Sequence, residues 1–392
     1  MLRQPVYLSA CLLLLLVLSG CSSIWSVTNS APDRDHDWSQ VTLAHSGFDI
    51  DRMRRLSERL ESGYHPNIHM VLVEHNARLV YENYLAGDDQ SWGVELGYRE
   101  FDASSLHDLR SISKSITSLL LGIALGDDFA AALSRPVLEY FPELAAQAAE
   151  GAERVTLYHV LTMTAGFEWN EMEVTYASLN NDARRMHYAD DPLRYALTKP
   201  LVNEPGERWY YNGGMTLVLA AVVEKVSGQP FLEFATQALA EPLGIAETEA
   251  EWRGLGIWRK RPTLPSASSG LRATARSLTK VGALVLDQGR WKGRQVVPRQ
   301  WLEVSMRRQT EQTFPIWSFD GIYGYGFQWW QGNFSGEYGD YSAIVGVGYG
   351  GQRLFIVPER DLVVTIFAGN YGNGLWRVSE QVMAEIIAAA PN

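Results

Sequence analysis

The sequence predicts a mixed α/β fold in which an antiparallel sheet is built from both chain ends, flanked by helices and interrupted by an inserted helical subdomain. Strand-like segments occur at residues 69–84 and again after about residue 315, whereas helical periods fill roughly residues 130–260. The two groups of strands are expected to share one sheet, because each group alone would leave an apolar face exposed. The chain has 392 residues, 46% of them hydrophobic, and can therefore bury a large core.

The predicted N-terminal elements are a helix and a β-hairpin. The stretch FDIDRMRRLSERLES (48–62) has helical spacing, and HMVLVEHNARLVYENY (69–84) contains two apolar runs separated by the turn residues 75–78. A third pattern, from Ser105 to Leu125, is helical and ends at a Gly-Asp-Asp segment. These elements supply the first strands of the predicted sheet and a long apolar helix.

The middle and C-terminal regions differ in their predicted secondary structure. The segments VTLYHVLTMTAG (155–166) and GGMTLVLAAVVEKVSG (213–228) predict helices, and no strand is predicted between 130 and 260. The later segments YGYGFQWWQG, YSAIVGVGYG, GQRLFIVPE and DLVVTIFAG predict strands, and LWRVSEQVMAEIIAAA predicts a last helix. The predicted organisation is an α/β part at 41–129 and 261–392, with the helical insertion at 130–260.

The first 20 residues are typical of a signal peptide. They carry one arginine and a nine-residue apolar run from Ala10 to Leu18, which is too short to span a bilayer. The segment LSGC, which ends at Cys21, resembles the lipobox of bacterial lipoproteins, in which the cysteine becomes the acylated first residue. This resemblance implies a lipid anchor on Cys21, a tether over 21–40 and a location in the bacterial cell envelope. Ser22 favours the outer membrane, facing the periplasm. An ordinary secretory leader cleaved nearby is the alternative.

Charge and cysteine content exclude several classes of function. The formal net charge is −11, and no cluster of lysine and arginine provides the basic face that nucleic-acid binding needs. The two cysteines are Cys11 in the leader and Cys21 at the predicted anchor. The exported domain therefore has no disulfide, no thiolate metal site and no cysteine nucleophile. Neither a metal site nor a cofactor is predicted, and the oligomeric state is left open.

The stretch LRSISKSITS (109–118) contains the candidate nucleophile. Ser111 and Lys114 are one helical turn apart, so both side chains lie on the same side of a helix. A lysine in a desolvated pocket can lose its proton and serve as the base for a serine. The sequence has no HExxH, GxSxG, Walker or dinucleotide-binding glycine motif, and no histidine after residue 187 to act as a late triad base. His159 is interpreted as a packed helix residue.

A second Ser-x-x-Lys pair, Ser277 and Lys280, has the same spacing. A lysine-activated serine also needs a proton donor and backbone N–H groups for the oxyanion, so a tyrosine and a glycine-bearing strand are expected downstream. Ser111 is followed by Tyr210-Tyr211-Asn212 and by the strand VGVGYGGQ. Ser277 is followed by Tyr371-Gly372-Asn373, with no further glycine strand. Ser277 is therefore interpreted as a helix-start serine.

Together these motifs resemble the serine β-lactamase and penicillin-binding-protein superfamily, in its class C-like esterase and amidase branch. The resemblance covers about residues 45–390 and includes VTLYHVLTMTAGF, PGERWYYNGG, SGLRATARSLTKVGALVL and GGQRLFIVPERDLVV in the family's order. The segments YGFQWW and GYGGQ, with WNE followed by Tyr176, are most similar to the 6-aminohexanoate-dimer hydrolase type. The resemblance implies a β-lactamase/transpeptidase-like hydrolase domain over residues 41–392.

The resemblance also implies a role for each motif residue. Ser111 matches the acylated nucleophile, Lys114 its proton acceptor, and Tyr210 the tyrosine that relays a proton to the leaving group. Asn212 matches a polar residue that holds the lysine and the substrate in place. The oxyanion hole is expected to use the N–H of Ser111 and a second N–H, near Tyr349, from the third motif Gly348-Tyr349-Gly350.

Departures from the family pattern reduce the range of substrates that the resemblance implies. The third motif, Gly346-Val347-Gly348 or Gly348-Tyr349-Gly350, has no cationic side chain of the kind that relatives use to bind a substrate carboxylate. The segment YASLN (176–180) lacks the deacylating glutamate of class A enzymes, and its first residue, Tyr176, either faces the substrate or packs. Because Trp329 and Trp330 are neighbours on a predicted strand, at most one of them can line a pocket.

The predicted function is that of an exported, lipid-anchored serine hydrolase that cleaves an ester or amide bond through an acyl-enzyme on Ser111. Its predicted partners are a small-molecule ester or amide substrate and the membrane that holds the lipid anchor. The alternative is a penicillin-recognising cell-wall enzyme, β-lactamase-like or D,D-peptidase-like, or a descendant that binds penicillin and turns over slowly. Ester turnover and stable labelling by a penicillin distinguish these two classes.

Overall fold

The computed structural model describes Trp38 and residues 43–254, 264–312, 323–334, 340–375 and 377–391. The predicted signal peptide, Cys21 and all of the predicted tether except Trp38 lie outside the described residues. The strands, in chain order, are β1 (Ile68–His75), β2 (Arg78–Tyr84), β3 (Ala86–Ser91), β4 (Val94–Glu100), β5 (His107–Asp108), β6 (Ala250–Trp252), β7 (Leu271–Ala273), β8 (Arg290–Trp291), β9 (Arg294–Gln295), β10 (Thr310–Gln312), β11 (Tyr323–Tyr325), β12 (Trp330–Phe334), β13 (Tyr341–Gly348), β14 (Gln352–Val357) and β15 (Leu362–Ala368). The α-helices are α1 (Ile50–Glu61), α2 (Ile112–Leu125), α3 (Phe129–Leu133), α4 (Pro142–Ala145), α5 (Leu157–Leu161), α6 (Asp182–His187), α7 (Pro192–Leu197), α8 (Gly213–Ser227), α9 (Phe231–Ala235), α10 (Ala275–Leu286), α11 (Arg299–Ser305) and α12 (Val378–Ala389).

The centre of the molecule is an eight-stranded sheet in the order β10-β11-β12-β13-β14-β15-β1-β2. Every neighbouring pair in it is antiparallel. The pair that joins the two ends of the chain is β1 with β15, in which Ile68 lies opposite Ala368 and His75 opposite Leu362. The predicted sheet built from both chain ends is thereby confirmed.

The β1–β2 hairpin turns at Asn76 and Ala77, within the predicted turn. These residues have positive φ angles of 52° and 60°, which is the backbone geometry of a tight two-residue hairpin turn. β1 is buried along its whole length and lies between β15 and the edge strand β2. Helix α10 packs on β1, β14 and β15, and α12 packs on β15 and against α1, so helices flank the sheet as predicted.

Helix α2 is the central helix of the fold and begins directly after Ser111. Twelve of its 14 residues are buried, and it packs against α8, β13 and β14. By length and composition alone, Ile112–Leu133 could cross a membrane, as could α8 taken together with the bent segment Phe231–Ala240. The burial of α2 in the protein core accounts for its apolar composition.

Several short strands lack the apolar alternation that predicts a strand. β4 is exposed along its whole length and β3 has the polar sequence AGDDQS, so neither shows a period of two. The helix predicted to start at Ser105 begins only at Ile112, because His107–Asp108 form β5 and pair with β7. The region 130–260, in which no strand is predicted, contains β6, which also pairs with β7. The domain boundaries within 41–392 stay a prediction.

Candidate active site

A cavity of about 570 Å³ lies over the start of α2. Its walls come from the tip of the β3–β4 hairpin, from residues in the segment 171–188, from the loop 266–270 before β7 and from the turn after β13. Among the predicted site residues, its lining includes Ser111, Lys114, Tyr176 and Tyr349. Tyr210 and Asn212 are not part of this lining. The structure thus brings four of the predicted residues together in the lining, and Gly348 and Gly350 of the third motif flank Tyr349 without lining the cavity themselves.

Ser111 is the N-cap residue of α2, but its side chain makes no capping hydrogen bond. Its Oγ instead accepts a hydrogen bond of 3.3 Å from Lys114 Nζ, which also donates to the Ser268 carbonyl oxygen at 2.9 Å. Lys114 is 2% exposed, and its Nζ lies 4.7 Å from the centre of the Tyr211 ring. Within the part of the chain that the structure describes, Lys114 forms no salt bridge. The lysine is therefore buried directly beside the serine.

The backbone before Ser111 forms a strained turn. Arg110 has a positive φ of 51°, which a residue other than glycine keeps only when its surroundings enforce it. Ser113 supplies part of this restraint, because its Oγ donates to the Arg110 carbonyl oxygen at 2.7 Å and accepts from the Leu271 N–H at 3.1 Å. The turn that carries the candidate nucleophile is thereby tied to β7.

The predicted third motif lies against the same turn. A Cβ on Gly348 would lie 2.4 Å from the Leu109 carbonyl oxygen, so only glycine allows the end of β13 to approach this closely. Gly350 has a positive φ of 92°, and a Cβ there would lie 2.3 Å from the Tyr371 ring. Tyr349, between the two glycines, lines the cavity. The use of an N–H near Tyr349 as the second oxyanion donor stays a prediction.

The structure places Tyr211, and not Tyr210, beside the lysine. Trp209 and Tyr211 both pack on the Trp330 ring, with centroids 5.7 and 6.3 Å away, whereas the Tyr210 hydroxyl donates to Glu173. The middle residue of this segment therefore bonds to Glu173, while its two neighbours pack on Trp330. Burial and the Glu173 carboxylate raise the pKa of Tyr210. The geometry does not support Tyr210 as the proton relay.

Asn212 has a structural role that its predicted assignment does not include. It is the N-cap residue of α8, and its Oδ1 accepts hydrogen bonds from the N–H groups of Gly214 at 2.8 Å and Met215 at 3.3 Å. These N–H groups have no partner within the first turn of the helix itself. The oxygen of the Asn212 side chain therefore caps the helix and does not hold Lys114.

Glu171 is a buried carboxylate that sequence reasoning does not identify as a site residue. It is 3% exposed and lines the cavity. Its Oε2 accepts from Trp169 Nε1 and from the Gly213 N–H, both at 2.7 Å, and its Oε1 accepts from the Tyr176 hydroxyl at 3.1 Å. Three donors of this kind make the burial of a carboxylate possible. In the sequence, only the place of Glu171 in the WNE segment before Tyr176 indicates that it could belong to the site.

Tyr176 lies at the cavity, as the substrate-facing interpretation requires. Its ring meets the Tyr349 ring edge-on with centroids 5.8 Å apart, and 41% of the residue is exposed. Its hydroxyl, in contrast, is enclosed against Glu171. Burial of the hydroxyl and the charge of Glu171 raise the pKa of Tyr176 well above its usual value. The hydroxyl therefore keeps its proton at neutral pH and can act as a donor.

The cavity carries positive charge, although the third motif has none. The arginines in its lining are Arg110, Arg184 and Arg253. Arg110 is paired with Asp108 at 3.2 Å, and the other two donate to backbone carbonyl oxygens at 2.9 and 3.2 Å. Because a guanidinium group has five N–H donors, these contacts leave donors that an anionic group can use. Elements other than the third motif supply the positive charge at this site.

The second Ser-x-x-Lys pair has a different environment. Ser277 is 1% exposed in the first turn of α10, and its Oγ accepts a hydrogen bond from Thr274 Oγ1 at 2.9 Å. It borders a smaller, mainly apolar cavity of about 250 Å³. Lys280 Nζ donates to the Gly244 carbonyl oxygen at 2.9 Å. This position agrees with the interpretation of Ser277 as a helix-start serine.

Three further residues are structural. His159 forms the capping box of α5 with Thr156, in agreement with its interpretation as a packed helix residue. Trp329 and Trp330 are 0% and 6% exposed, and neither belongs to the lining of the larger cavity.

The fold and the Ser-x-x-Lys site define the class of the protein as a serine hydrolase. The chain belongs to the β-lactamase family, since the family model described as Beta-lactamase matches residues 56–386. The predicted membership of the serine β-lactamase and penicillin-binding-protein superfamily is thereby confirmed.

Comparison with known proteins agrees with this family and with the predicted type within it. The 6-aminohexanoate-dimer hydrolase of Paenarthrobacter ureafaciens is 28% identical over 327 residues, which are 80% of this chain and 74% of that protein. Esterase EstB of Burkholderia gladioli is 29% identical over 188 residues, 45% of each chain. The structure of a penicillin-binding protein homologue from Pyrococcus abyssi has a TM-score of 0.61 at 19% identity and covers 87% of this chain and 78% of that one. The structural similarity shows a shared fold.

Proposed function

We propose that the protein hydrolyses an ester or amide bond of a small molecule through an acyl-enzyme on Ser111. The observation that carries this proposal is the buried Lys114 Nζ, 3.3 Å from Ser111 Oγ at the wall of the cavity. A serine hydroxyl is a weak nucleophile until a neighbouring base takes its proton. Lys114 is the titratable group in hydrogen-bond contact with the hydroxyl, and its neutral form can act as that base.

The reaction proceeds in two halves. Ser111 Oγ attacks the substrate carbonyl carbon as its proton moves to Lys114 Nζ, and the bond to the leaving alcohol or amine breaks as that group gains a proton. Water then attacks the acyl carbon, the ester bond to Ser111 breaks, and the serine hydroxyl is restored as the acid leaves. The ammonium group formed on Lys114 is stabilised by the Ser268 carbonyl oxygen and by the face of the Tyr211 ring.

Tyr211 takes the tyrosine role in this proposal, in place of Tyr210. Its ring lies 4.7 Å from the lysine nitrogen, and we therefore assign to its hydroxyl the transfer of a proton to the leaving group. Tyr176 is assigned to substrate binding, because its hydroxyl keeps its proton and lies at the cavity. Glu171 orients this hydroxyl and also bonds the first residue of α8, so it couples the position of Tyr176 to that of the helix.

The arginines of the cavity support a substrate that carries a negative charge near the bond to be cleaved. We suggest a matched pair of p-nitrophenyl esters, one ending in a carboxylate and the other in its methyl ester. The carboxylate form should have the higher kcat/KM, and the advantage should shrink in Arg253→Met. Equal rates for the two esters in the wild-type protein would exclude an anionic substrate.

The experiment that tests the function compares ester turnover with penicillin labelling. Turnover of a p-nitrophenyl ester that disappears in Ser111→Ala supports the hydrolase. The alternative is the penicillin-recognising cell-wall enzyme or its slow-turnover descendant, and the similarity of fold to a penicillin-binding protein homologue favours testing it. Stable labelling of Ser111 by a fluorescent penicillin without ester turnover would establish this alternative in place of the hydrolase.

We also propose that Cys21 carries a lipid anchor and that the hydrolase domain faces the periplasm from the outer membrane. The leader and the LSGC segment support this location. Wild-type protein should partition with membranes and incorporate labelled palmitate, whereas Cys21→Ala should do neither. Palmitate labelling that persists in Cys21→Ala would contradict the anchor.

A further inference from the structure

A cluster of three buried side chains lies apart from the catalytic residues. His69 on β1, Asp89 on β3 and His107 on β5 are each at most 2% exposed. His69 Nδ1 lies 3.0 Å from His107 Nε2, and Asp89 Oδ1 lies 3.5 Å from that same His107 nitrogen. All three of these atoms lie within 4.8 Å of one another. The cluster therefore connects the central sheet, the β3–β4 hairpin and the small sheet that contains β5.

Hydrogen bonds to the outer ring nitrogens determine the tautomers of both histidines. His69 Nε2 lies 3.1 Å from Asn67 Oδ1, and this amide is oriented by its Nδ2, which donates to the Asp88 carbonyl oxygen at 2.9 Å. His107 Nδ1 lies 3.2 Å from the Asp108 carbonyl oxygen. Both partners can only accept, so each outer nitrogen carries the hydrogen and each inner nitrogen presents a lone pair.

The inner face of the cluster therefore consists of acceptors. The lone pairs of the two histidines face each other, and Asp89 Oδ1 has no hydrogen-bond partner among the described residues. Buried acceptors in contact need a cation between them. A single proton on Asp89 could serve only one of the two nitrogens.

We propose that His69, Asp89 and His107 bind a divalent metal ion, with zinc as the best match. Imidazole nitrogens and carboxylate oxygens bind zinc at about 2.0–2.2 Å, which places tetrahedral ligand atoms about 3.3–3.5 Å apart. The two distances given above, 3.0 and 3.5 Å, are close to this spacing. Asn67 and the Asp108 carbonyl oxygen supply the outer hydrogen bonds that orient metal-binding histidines.

The packing around the cluster is tight. A Cβ on Gly87 would lie 2.2 Å from Asn67 Oδ1, and a Cβ on Gly369 would lie 2.7 Å from His69 Cε1, so glycines are needed at both positions to leave room for the Asn67–His69 bond. The three ligands come from separate strands without a recognised metal-binding spacing, which is why the sequence predicts no metal site.

The charges around the cluster include three arginines, Arg99, Arg110 and Arg272. Arg110 and Arg272 pair with Asp108, at 3.2 and 2.9 Å, and Arg272 also pairs with Glu251 at 2.8 Å. Asp108 and Glu251 together balance these two arginines, and Asp89 is left to face the metal ion. Arg110 also lines the cavity, as does the tip of the β3–β4 hairpin. Metal bonds from Asp89 and His107 would attach both parts of the cavity wall to β1. We expect the ion to stabilise the fold and not to take part in hydrolysis.

The test uses the full chain without an affinity tag, purified from cells grown with zinc. Metal analysis should find about one zinc ion per chain. A chelator should remove the ion and lower Tm by several degrees, and zinc or cobalt should restore it, because an ion that binds only the folded state stabilises that state. Wild-type protein that contains no zinc, does not respond to chelator and takes up neither metal would overturn the proposal and leave a buried proton as the cation.

Substitutions of the proposed ligands test where the zinc ion binds. Asp89→Asn and His107→Gln should each lose most of the bound zinc, whereas His75→Gln, which changes a buried histidine at the other end of β1, should retain it. Full zinc content in folded Asp89→Asn and His107→Gln would refute the assignment. If these variants do not fold, anomalous diffraction at the zinc edge from wild-type crystals decides the matter. A peak between His69, Asp89 and His107 supports the site, and a peak elsewhere, or none, overturns it.

Discussion

Two buried helices of this chain begin at a Ser-x-x-Lys motif, and the surroundings of the two serines differ. On α2, Ser111 Oγ accepts a hydrogen bond from Lys114 Nζ at 3.3 Å and makes no capping bond. On α10, Ser277 Oγ accepts from Thr274 Oγ1 at 2.9 Å, while Lys280 Nζ donates to a backbone carbonyl oxygen. The same spacing thus produces a serine–lysine contact in one region and two separate structural contacts in the other.

The position of each serine relative to its helix start explains this difference. Ser111 is the N-cap residue of α2, whereas Ser277 is the third residue of α10, behind the cap Thr274. A hydroxyl in the first turn lies next to the capping side chain and bonds to it. A cap residue whose hydroxyl makes no capping bond can present it to a cavity. The helix boundary, in addition to the motif spacing, therefore decides which serine is the candidate nucleophile.

The largest expected effect comes from exchanging each serine for alanine. Ser111→Ala should abolish covalent labelling by a fluorophosphonate, because the labelled hydroxyl is lost. Ser277→Ala should be labelled like the wild-type protein, because the hydroxyl that it removes is bonded to Thr274. Labelling measured on gels under identical conditions checks both. Labelling that depends on Ser277 would mean that Ser277, and not Ser111, is the nucleophile.

The next effect concerns the tyrosines that complete the α2 site. Tyr211→Phe should lower the rate of acylation by about 10²-fold or more, the usual effect of removing a positioned acid or base. Tyr210→Phe should change it by less than about tenfold, because its hydroxyl bonds to Glu173 and not to the serine–lysine pair. Burst kinetics with a p-nitrophenyl ester measure both rates. A larger loss in Tyr210→Phe would restore the assignment made from the Tyr-x-Asn spacing.

Local patterns predict much of the fold and the central part of the site. The turn at Asn76 and Ala77 follows from two apolar runs that flank turn residues, and the C-terminal strands follow from their β-branched and aromatic content. The contact between Ser111 and Lys114 follows from helical spacing. Each of these features depends on residues that are close together in the sequence.

Other parts of the site depend on tertiary contacts that local patterns do not contain. The choice between Tyr210 and Tyr211 depends on which side of the segment faces Trp330. The burial of Glu171 depends in part on the Gly213 N–H at the start of α8, which is distant from Glu171 in the sequence. Similarly, the hairpin β3–β4 is too polar to show an apolar period, although its tip forms a wall of the cavity.

The smallest expected effect concerns stability. Thr274→Ala removes the cap of α10 and should lower the free energy of unfolding by about 0.5–2 kcal/mol. Ser111→Ala should change it by less than about 0.5 kcal/mol, because the Ser111 side chain makes no capping bond. Thermal and denaturant unfolding of the two variants checks this difference. Equal losses would show that Ser111 has a capping role after all.

The central claim of this account is that Lys114 takes the proton of Ser111, and Lys114→Arg tests it most directly. Arginine keeps the positive charge but cannot be deprotonated in proteins. The rate of fluorophosphonate labelling should therefore fall by about 10²–10⁴-fold in Lys114→Arg, in protein shown to be folded by its Tm. The control, Lys280→Arg, should label at close to the wild-type rate. If Lys114→Arg also labels at close to the wild-type rate, Lys114 contributes only charge and the proposed mechanism is wrong.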